Sequence, residues 1–165
     1  MTALICSADG ASRTGKLSAP AFLSRAAQAQ QVEILFGGLA AQRAGDERIK
    51  RFGARMVEDH TKASIELRQL ASKTGLSPAA DLNEEQERQQ QALLKLSGPP
   101  FDRTYMSVMV REHAKVVKQF EKAAFGADNQ EIQHWAAGSL PLLNEHHQEA
   151  RALASSLANN RTQAR

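Results

Sequence analysis

The chain has 165 residues, of which 42% are hydrophobic, 24% charged and only 5% aromatic. This length allows one domain with a sizeable core, and the dominance of good helix formers predicts a soluble all-α protein. The net charge of +3 arises from 21 basic and 18 acidic residues spread along the chain. Such mild basicity argues against a nucleic acid partner, because nucleic acid binding usually needs a basic patch. The single cysteine, Cys6, excludes a disulfide framework and a cysteine-based metal site.

The two ends of the chain are predicted to lie outside the folded domain. Scattered Ser, Gly, Thr and Asp over residues 1–17 predict a disordered leader. No apolar run of signal-peptide length occurs there, and no later segment is apolar enough to span a membrane. We therefore expect a helical domain over residues 18–158, followed by a frayed tail over 159–165.

Two long helices are predicted first. Pro20 suits a first helical turn, where its missing N–H would have no intrahelical partner. Apolar residues then recur at steps of three and four until Gly45, which should end the helix. Asp46 is a good N-cap for the second helix, which should reach about Thr74 and stop at Gly75.

A short polar helix is predicted next, over residues 84–96. Asn83 and Gln86 form a capping-box pattern at its start, and its polar faces indicate a crossover helix on the surface. The segment Ser-Gly-Pro-Pro at 97–100 should end it sharply.

Two further long helices are predicted after this segment. The third should run from Phe101 to about Phe125. Asp128 and Glu131 resemble a second capping box and should open the fourth helix, in which Pro141 should cause a bend. Four long helices with a long middle connection make a four-helix bundle. It is ferritin-like if that connection crosses the bundle and simply up-and-down if it does not.

Each long helix carries one ionisable residue within its apolar stripe: Glu33, His60, His113 and His146. A rise of ~1.5 Å per residue places Glu33 and His60 ~18 and ~22 Å from the turn between their helices, and His113 ~18 Å along its own helix. The same rise leaves His146 roughly 10 Å away in height. We therefore expect the first three residues to form one constellation, with His146 as a more distant fourth member.

This constellation has two interpretations. Imidazoles and a carboxylate facing each other inside a bundle suit zinc, copper or iron. The alternative is a buried polar layer, in which a carboxylate orients and neutralises the imidazoles. The Glu-x-x-His pairs of di-iron bundles are absent, since Val57, Val110 and Leu143 stand three residues before the histidines. No catalytic residue can be named, which argues against an enzyme.

Five blocks of sequence resemble the bacterial family called domain of unknown function 4142 (DUF4142). They lie at residues 22–27, 56–63, 96–106, 109–113 and 140–146. The resemblance implies a ferritin-like four-helix bundle with an additional short crossover helix between the second and third long helices. It also implies export to the periplasm or cell envelope and no agreed activity. The family's characteristic polar positions correspond here to Glu33, His60, Asp102, His113 and His146.

Two functional hypotheses follow. The first is an envelope-associated protein that holds a transition metal through Glu33, His60, His113 and His146. The second is a structural or protein-interaction module, with a protein partner or a second copy of the chain bound on an outer face. Since no clear signal peptide is visible, a cytoplasmic location stays open beside the periplasmic one.

Overall fold

The computed structural model describes residues 17–163, with side chains described through residue 159. The described residues form five α-helices. These are α1 (Ala19–Arg43), α2 (Glu47–Lys73), α3 (Glu84–Leu94), α4 (Gly98–Gly126) and α5 (Gln130–Gln163). Four long helices and one short helix in this order confirm the predicted architecture. None of the helices in this range combines the length and apolar character that a membrane span requires.

The connection between α2 and α4 crosses the bundle. The Leu17 N–H donates to the Gly126 carbonyl at 2.8 Å, which places the end of α4 beside the start of α1. At the other end, a Cβ added to Gly45 would lie 2.9 Å from Gly98 Cα, so α4 begins beside the α1–α2 turn. Helices α2 and α4 are therefore parallel, and residues 74–97, including α3, run the length of the bundle. This is the ferritin-like arrangement, and the simple up-and-down alternative is excluded.

Two predicted helix starts are wrong. Helix α4 begins at Gly98 rather than Phe101, because Pro99 and Pro100 lie in its first turn. An N–H group in the first turn has no intrahelical acceptor, so proline costs no hydrogen bond there. The predicted capping box of Asp128 is also absent. Asn129 Oδ1 instead accepts the Glu131 and Ile132 N–H groups at 2.9 and 3.1 Å at the start of α5.

Asp128 caps a different helix from the one predicted. Its Oδ1 accepts the Ala19 N–H at 2.9 Å, at the start of α1. Leu17 explains this change, because its carbonyl accepts the Asp128 N–H and fixes the aspartate beside α1. By contrast, the predicted capping box of Asn83 and Gln86 is present at α3, which ends at Leu94, two residues earlier than expected.

The predicted ends of the chain fall largely beyond the described range. Residues 1–16 of the expected leader lie outside it, and Leu17 is already bonded to α4. Helix α5 continues through Gln163, beyond the expected boundary at residue 158. Pro141 lies within this continuous helix, and the bend expected there stays a prediction.

The core consists of two apolar clusters at opposite ends of the bundle. One cluster contains Phe22, Leu23 and Phe120, and the other contains Phe36 and Phe52 with further residues of α4. Along α1, α2 and α4, the buried residues Gln30, His60 and His113 stand between the positions that contribute to the two clusters. A polar layer therefore separates two hydrophobic cores.

Candidate metal centre

Three histidines from three helices meet in this polar layer. His60 of α2, His113 of α4 and His146 of α5 are 4%, 1% and 0% exposed. Their ring centroids lie 5.4 to 5.9 Å apart. Each ring can offer one nitrogen such that the three nitrogens lie within 4.8 Å of one another. We call these residues the histidine layer.

The predicted distance of His146 from the others is wrong. Helix α5 begins at Gln130 rather than at residue 128. At ~1.5 Å per residue, this places His146 ~3 Å closer to the start of its helix than expected. Side chains also lean toward the N-terminus of their own helix. Because α5 is antiparallel to α2 and α4, His146 leans toward His60 and His113 while they lean toward it. Counting residues along the axis ignores this lean and overstates the gap.

One nitrogen of each imidazole is held by an oxygen acceptor. His60 Nδ1 bonds Gln30 Oε1 at 2.6 Å, and His113 Nδ1 bonds the Met109 carbonyl at 3.0 Å. His146 Nε2 bonds Asp59 Oδ2 at 2.9 Å. Because these acceptors are oxygens, the bonded nitrogens carry the hydrogen in the neutral rings, and the opposite nitrogens carry a lone pair.

The opposite nitrogens have no hydrogen-bond partner among the described residues. These are His60 Nε2, His113 Nε2 and His146 Nδ1, and all three are buried. A lone pair cannot satisfy another lone pair, so the rings cannot satisfy one another. A buried polar atom left without a partner costs about 1–3 kcal/mol. The layer therefore lowers the stability of the metal-free protein.

The histidines are neutral near neutral pH. Burial lowers the pKa of His60 well below its usual value, and the neighbouring His113 and His146 lower it further. Burial lowers the pKa of His113 to about 4, against the opposing effect of the Met109 carbonyl. The pKa of His146 is also lowered by burial, although its bond to Asp59 opposes the change. Neutral imidazole is the form that coordinates a metal ion.

Glu33 lies behind the histidine layer rather than among its free nitrogens. Its Oε1 is 3.6 Å from His113 Nδ1, the nitrogen that also faces the Met109 carbonyl. At 3.6 Å this contact is not a hydrogen bond, and it lies on the ring edge away from His113 Nε2, so the expected pairing of Glu33 with a histidine stays a prediction. Burial, reinforced by Glu112, raises the pKa of Glu33 to about 8, so its carboxyl is mostly protonated at neutral pH. Its Oε2 has no hydrogen-bond partner within residues 17–163.

Residues not predicted from the sequence hold the layer in place. Asp59 bonds both His146 and Arg55, and Arg55 reaches across to Glu145 and Glu149 of α5 at 2.8 and 2.9 Å. Asp59 lies on the side of α2 that faces α5. The spacing of Gln30, one turn before Glu33 on the same buried stripe, was the available signal for its role.

Asp102 occupies a separate position at one end of the bundle. Its two carboxylate oxygens accept the Gly45 and Asp46 N–H groups at 2.9 and 3.0 Å. It is 2% exposed and ties the α1–α2 turn to the first turns of α4. We therefore assign Asp102 a structural role.

A cavity of about 450 Å³ opens beside the histidine layer, between α2 and α5. His60, His146 and Gln30 line its inner part, whereas the exposed Lys62 and His134 line its outer part. The layer is therefore buried but adjoins a space that extends to the surface.

The fold and the site define a ferritin-like four-helix bundle with a buried three-histidine layer. The chain belongs to the family described as domain of unknown function (DUF4142), whose model matches residues 6–153. This confirms the family identified from the sequence. Comparison with curated protein sequences gives no significant match.

Two solved structures share the fold. A DUF305 protein from Streptomyces coelicolor, described as a candidate secreted protein, aligns with a TM-score of 0.72 and 13% identity. The alignment covers 86% of this chain and 94% of that chain. The protein CopM in its Cu(II)-bound form aligns with a TM-score of 0.71 and 13% identity, over 86% of this chain and 98% of that one.

Proposed function

We propose that this protein binds a transition metal ion through His60, His113 and His146. The observation that carries the proposal is the arrangement of the ring nitrogens. In each ring one nitrogen is held by an oxygen acceptor, and the other is buried, unprotonated and without a partner in the described part of the chain. Metal-binding histidines have this arrangement, because the outer acceptor fixes the ring orientation and the tautomer.

The donor set indicates the class of ion. Three neutral imidazoles and no thiolate suit zinc, copper or iron more than magnesium or calcium, which prefer oxygen ligands. Copper is the first ion to test, since a structural neighbour carries Cu(II), although a likeness at 13% identity concerns the fold alone. The same neighbours make a location outside the cytoplasm the working hypothesis.

The structural interpretation is less consistent with these contacts. A polar layer that only organises the core should satisfy its own buried groups, because each unsatisfied group costs stability. Here the partners of the outer nitrogens come from the protein, whereas the inner nitrogens have none. An ion between them would satisfy all three at once.

Elemental analysis by mass spectrometry, on protein purified without an affinity tag or chelator, tests the proposal. We expect a stoichiometric transition metal, or stoichiometric loading when Cu(II) or Zn(II) is added. His60→Ala and His113→Ala should abolish it. His134→Ala is the matched control, because it removes an exposed imidazole near the layer and should leave loading unchanged.

Trp135 provides a second readout. It is the single tryptophan of the chain and lines the cavity beside His60 and His146. Cu(II) bound at the histidine layer should quench its fluorescence in the wild type and not in His60→Ala. A protein that resists loading with copper, zinc and iron would contradict the proposal and favour the structural interpretation.

A further inference from the structure

The histidine layer adjoins a large cavity on one side, and a smaller cavity of about 130 Å³ lies on the side of Glu33. His60 and His146 line the cavity between α2 and α5, whereas His113 and Glu33 do not. Glu33 stands behind His113, on the side away from its free nitrogen. A ligand could therefore approach the layer from the cavity.

The cavity has the size and lining of a small-ligand site. Its volume of about 450 Å³ falls within the range of roughly 300–1,000 Å³ that such sites occupy. Phe120, Trp135 and Leu143 form apolar walls near the histidines. Trp135 is positioned by a hydrogen bond from its Nε1 to Glu66 at 3.3 Å.

The described residues supply three metal ligands and no fourth. Zinc sites commonly have four ligands, and sites with three protein ligands keep one position for an exogenous ligand. Among the described residues only the three histidines form a group with metal-ligand spacing. Of the two nearby carboxyl groups, Glu33 lies behind His113, and Asp59 is engaged by His146 Nε2 and Arg55.

The charges favour an anion in the remaining position. A divalent ion held by three neutral imidazoles keeps its full charge, because none of these three ligands is anionic. The Asp59 carboxylate lies behind His146, where it bonds His146 Nε2 and shares Arg55 with Glu145 and Glu149. A small anion that binds the ion would be stabilised by this excess positive charge.

We infer that a bound metal ion keeps one coordination position open to the cavity, and that a small anion of the size of azide occupies it. This inference rests on the proposed metal binding. It adds that the ligand enters through the cavity and lies in it when bound.

Gly138 offers a way to block this route. It lines the cavity, and a Cβ added there would have no heavy atom within 4 Å. A side chain can therefore be introduced at this position of the cavity lining without a clash at its Cβ. Gly38 of α1 has the same open surroundings but does not line the cavity, so Gly38→Phe is a matched control for Gly138→Phe.

The test is an azide titration of the Cu(II)-loaded full chain, followed by azide-to-copper charge-transfer absorption. We expect the wild type and Gly38→Phe to bind azide with equal affinity. Gly138→Phe should still load Cu(II) by elemental analysis but bind azide at least about tenfold more weakly. Should Gly138→Phe misfold, Ala63→Leu narrows the cavity from α2 and should weaken azide binding in the same direction.

The outcomes separate the two proposals. A wild type that loads Cu(II) but shows no azide band would overturn the inference and leave metal binding intact. Equal azide affinity in wild type, Gly138→Phe and Ala63→Leu would also overturn it, because the bound ligand would then lie outside the cavity. A chain that loads no metal would instead contradict the proposed function itself.

Discussion

The α1–α2 turn and the histidine layer bury polar groups equally well but satisfy them differently. At the turn, both oxygens of Asp102 accept hydrogen bonds from backbone N–H groups, so the protein itself satisfies the carboxylate. In the layer, three ring nitrogens and Glu33 Oε2 have no partner among the described residues. Burial alone therefore does not distinguish a structural polar residue from a metal ligand. The two are distinguished by the number of hydrogen bonds that the protein leaves unmade.

Removing the satisfied carboxylate should have the largest effect on stability. Asp102→Leu leaves the Gly45 and Asp46 N–H groups without acceptors. Because a hydrogen bond to a charged group contributes about 1.5–3 kcal/mol, the free energy of unfolding should fall by about 3 kcal/mol or more. Urea unfolding of the metal-free protein measures this. The free energy of unfolding should fall less in Asp102→Asn, which keeps one acceptor oxygen. Equal stability of the wild type, Asp102→Leu and Asp102→Asn would refute the structural role.

Replacing an orienting residue should weaken metal binding more than it weakens the fold. Gln30→Leu removes the acceptor of His60 Nδ1 and frees the ring to rotate. Loss of such a partner typically lowers metal affinity about 10–100-fold. Competition with a chelator of known affinity measures the change. The control is Gln31→Leu, the neighbouring residue on α1, for which we expect wild-type affinity.

Filling the layer with an apolar side chain should stabilise the metal-free protein. His113→Leu removes an unsatisfied nitrogen and leaves behind the helical carbonyl of Met109 and the mostly protonated Glu33, whose Oε1 lies 3.6 Å from His113 Nδ1. The free energy of unfolding should rise by about 1 kcal/mol while metal binding is lost. His60→Leu is the contrasting variant, because it leaves the buried side-chain amide of Gln30 without its hydrogen-bond partner. This variant should have a lower free energy of unfolding than the wild type. Calorimetry in metal-free buffer compares the two, and a destabilised His113→Leu would argue for a structural layer.

The pH dependence of stability should have opposite signs for the histidines and for Glu33. The pKa of His113 is 6.5 ordinarily and about 4 when buried, so the unfolded chain binds more protons in this range and stability falls as the pH drops through it. The pKa of Glu33 rises from 4.5 to about 8, so stability falls as the pH rises through that range.

Glu33→Gln separates these two contributions. In metal-free buffer, the variant should keep the loss of stability on the acid side and lose the decline toward pH 8. Unfolding by urea across the range gives both slopes. An alkaline decline that persists in the variant would show that another group causes it.

Much of this molecule could be predicted from its sequence. Helix number, the buried positions of Glu33 and the three histidines, and the family follow from local periodicity, caps and motifs. The closeness of His146 could not be predicted, because it depends on the direction of α5 relative to its neighbours. The roles of Asp59 and Arg55 likewise depend on which helix faces α2, which periodicity does not encode.

The helix pairing has a consequence for how the site comes to exist. Helices α1 and α2 form one hairpin, α4 and α5 form another, and both can form from contacts that are local in the chain. His60 belongs to the first hairpin, and His113 and His146 belong to the second. The site is therefore completed only when the two hairpins dock against each other. We expect an ion bound at the proposed site to link the two hairpins and to slow their separation more than the unfolding of either one.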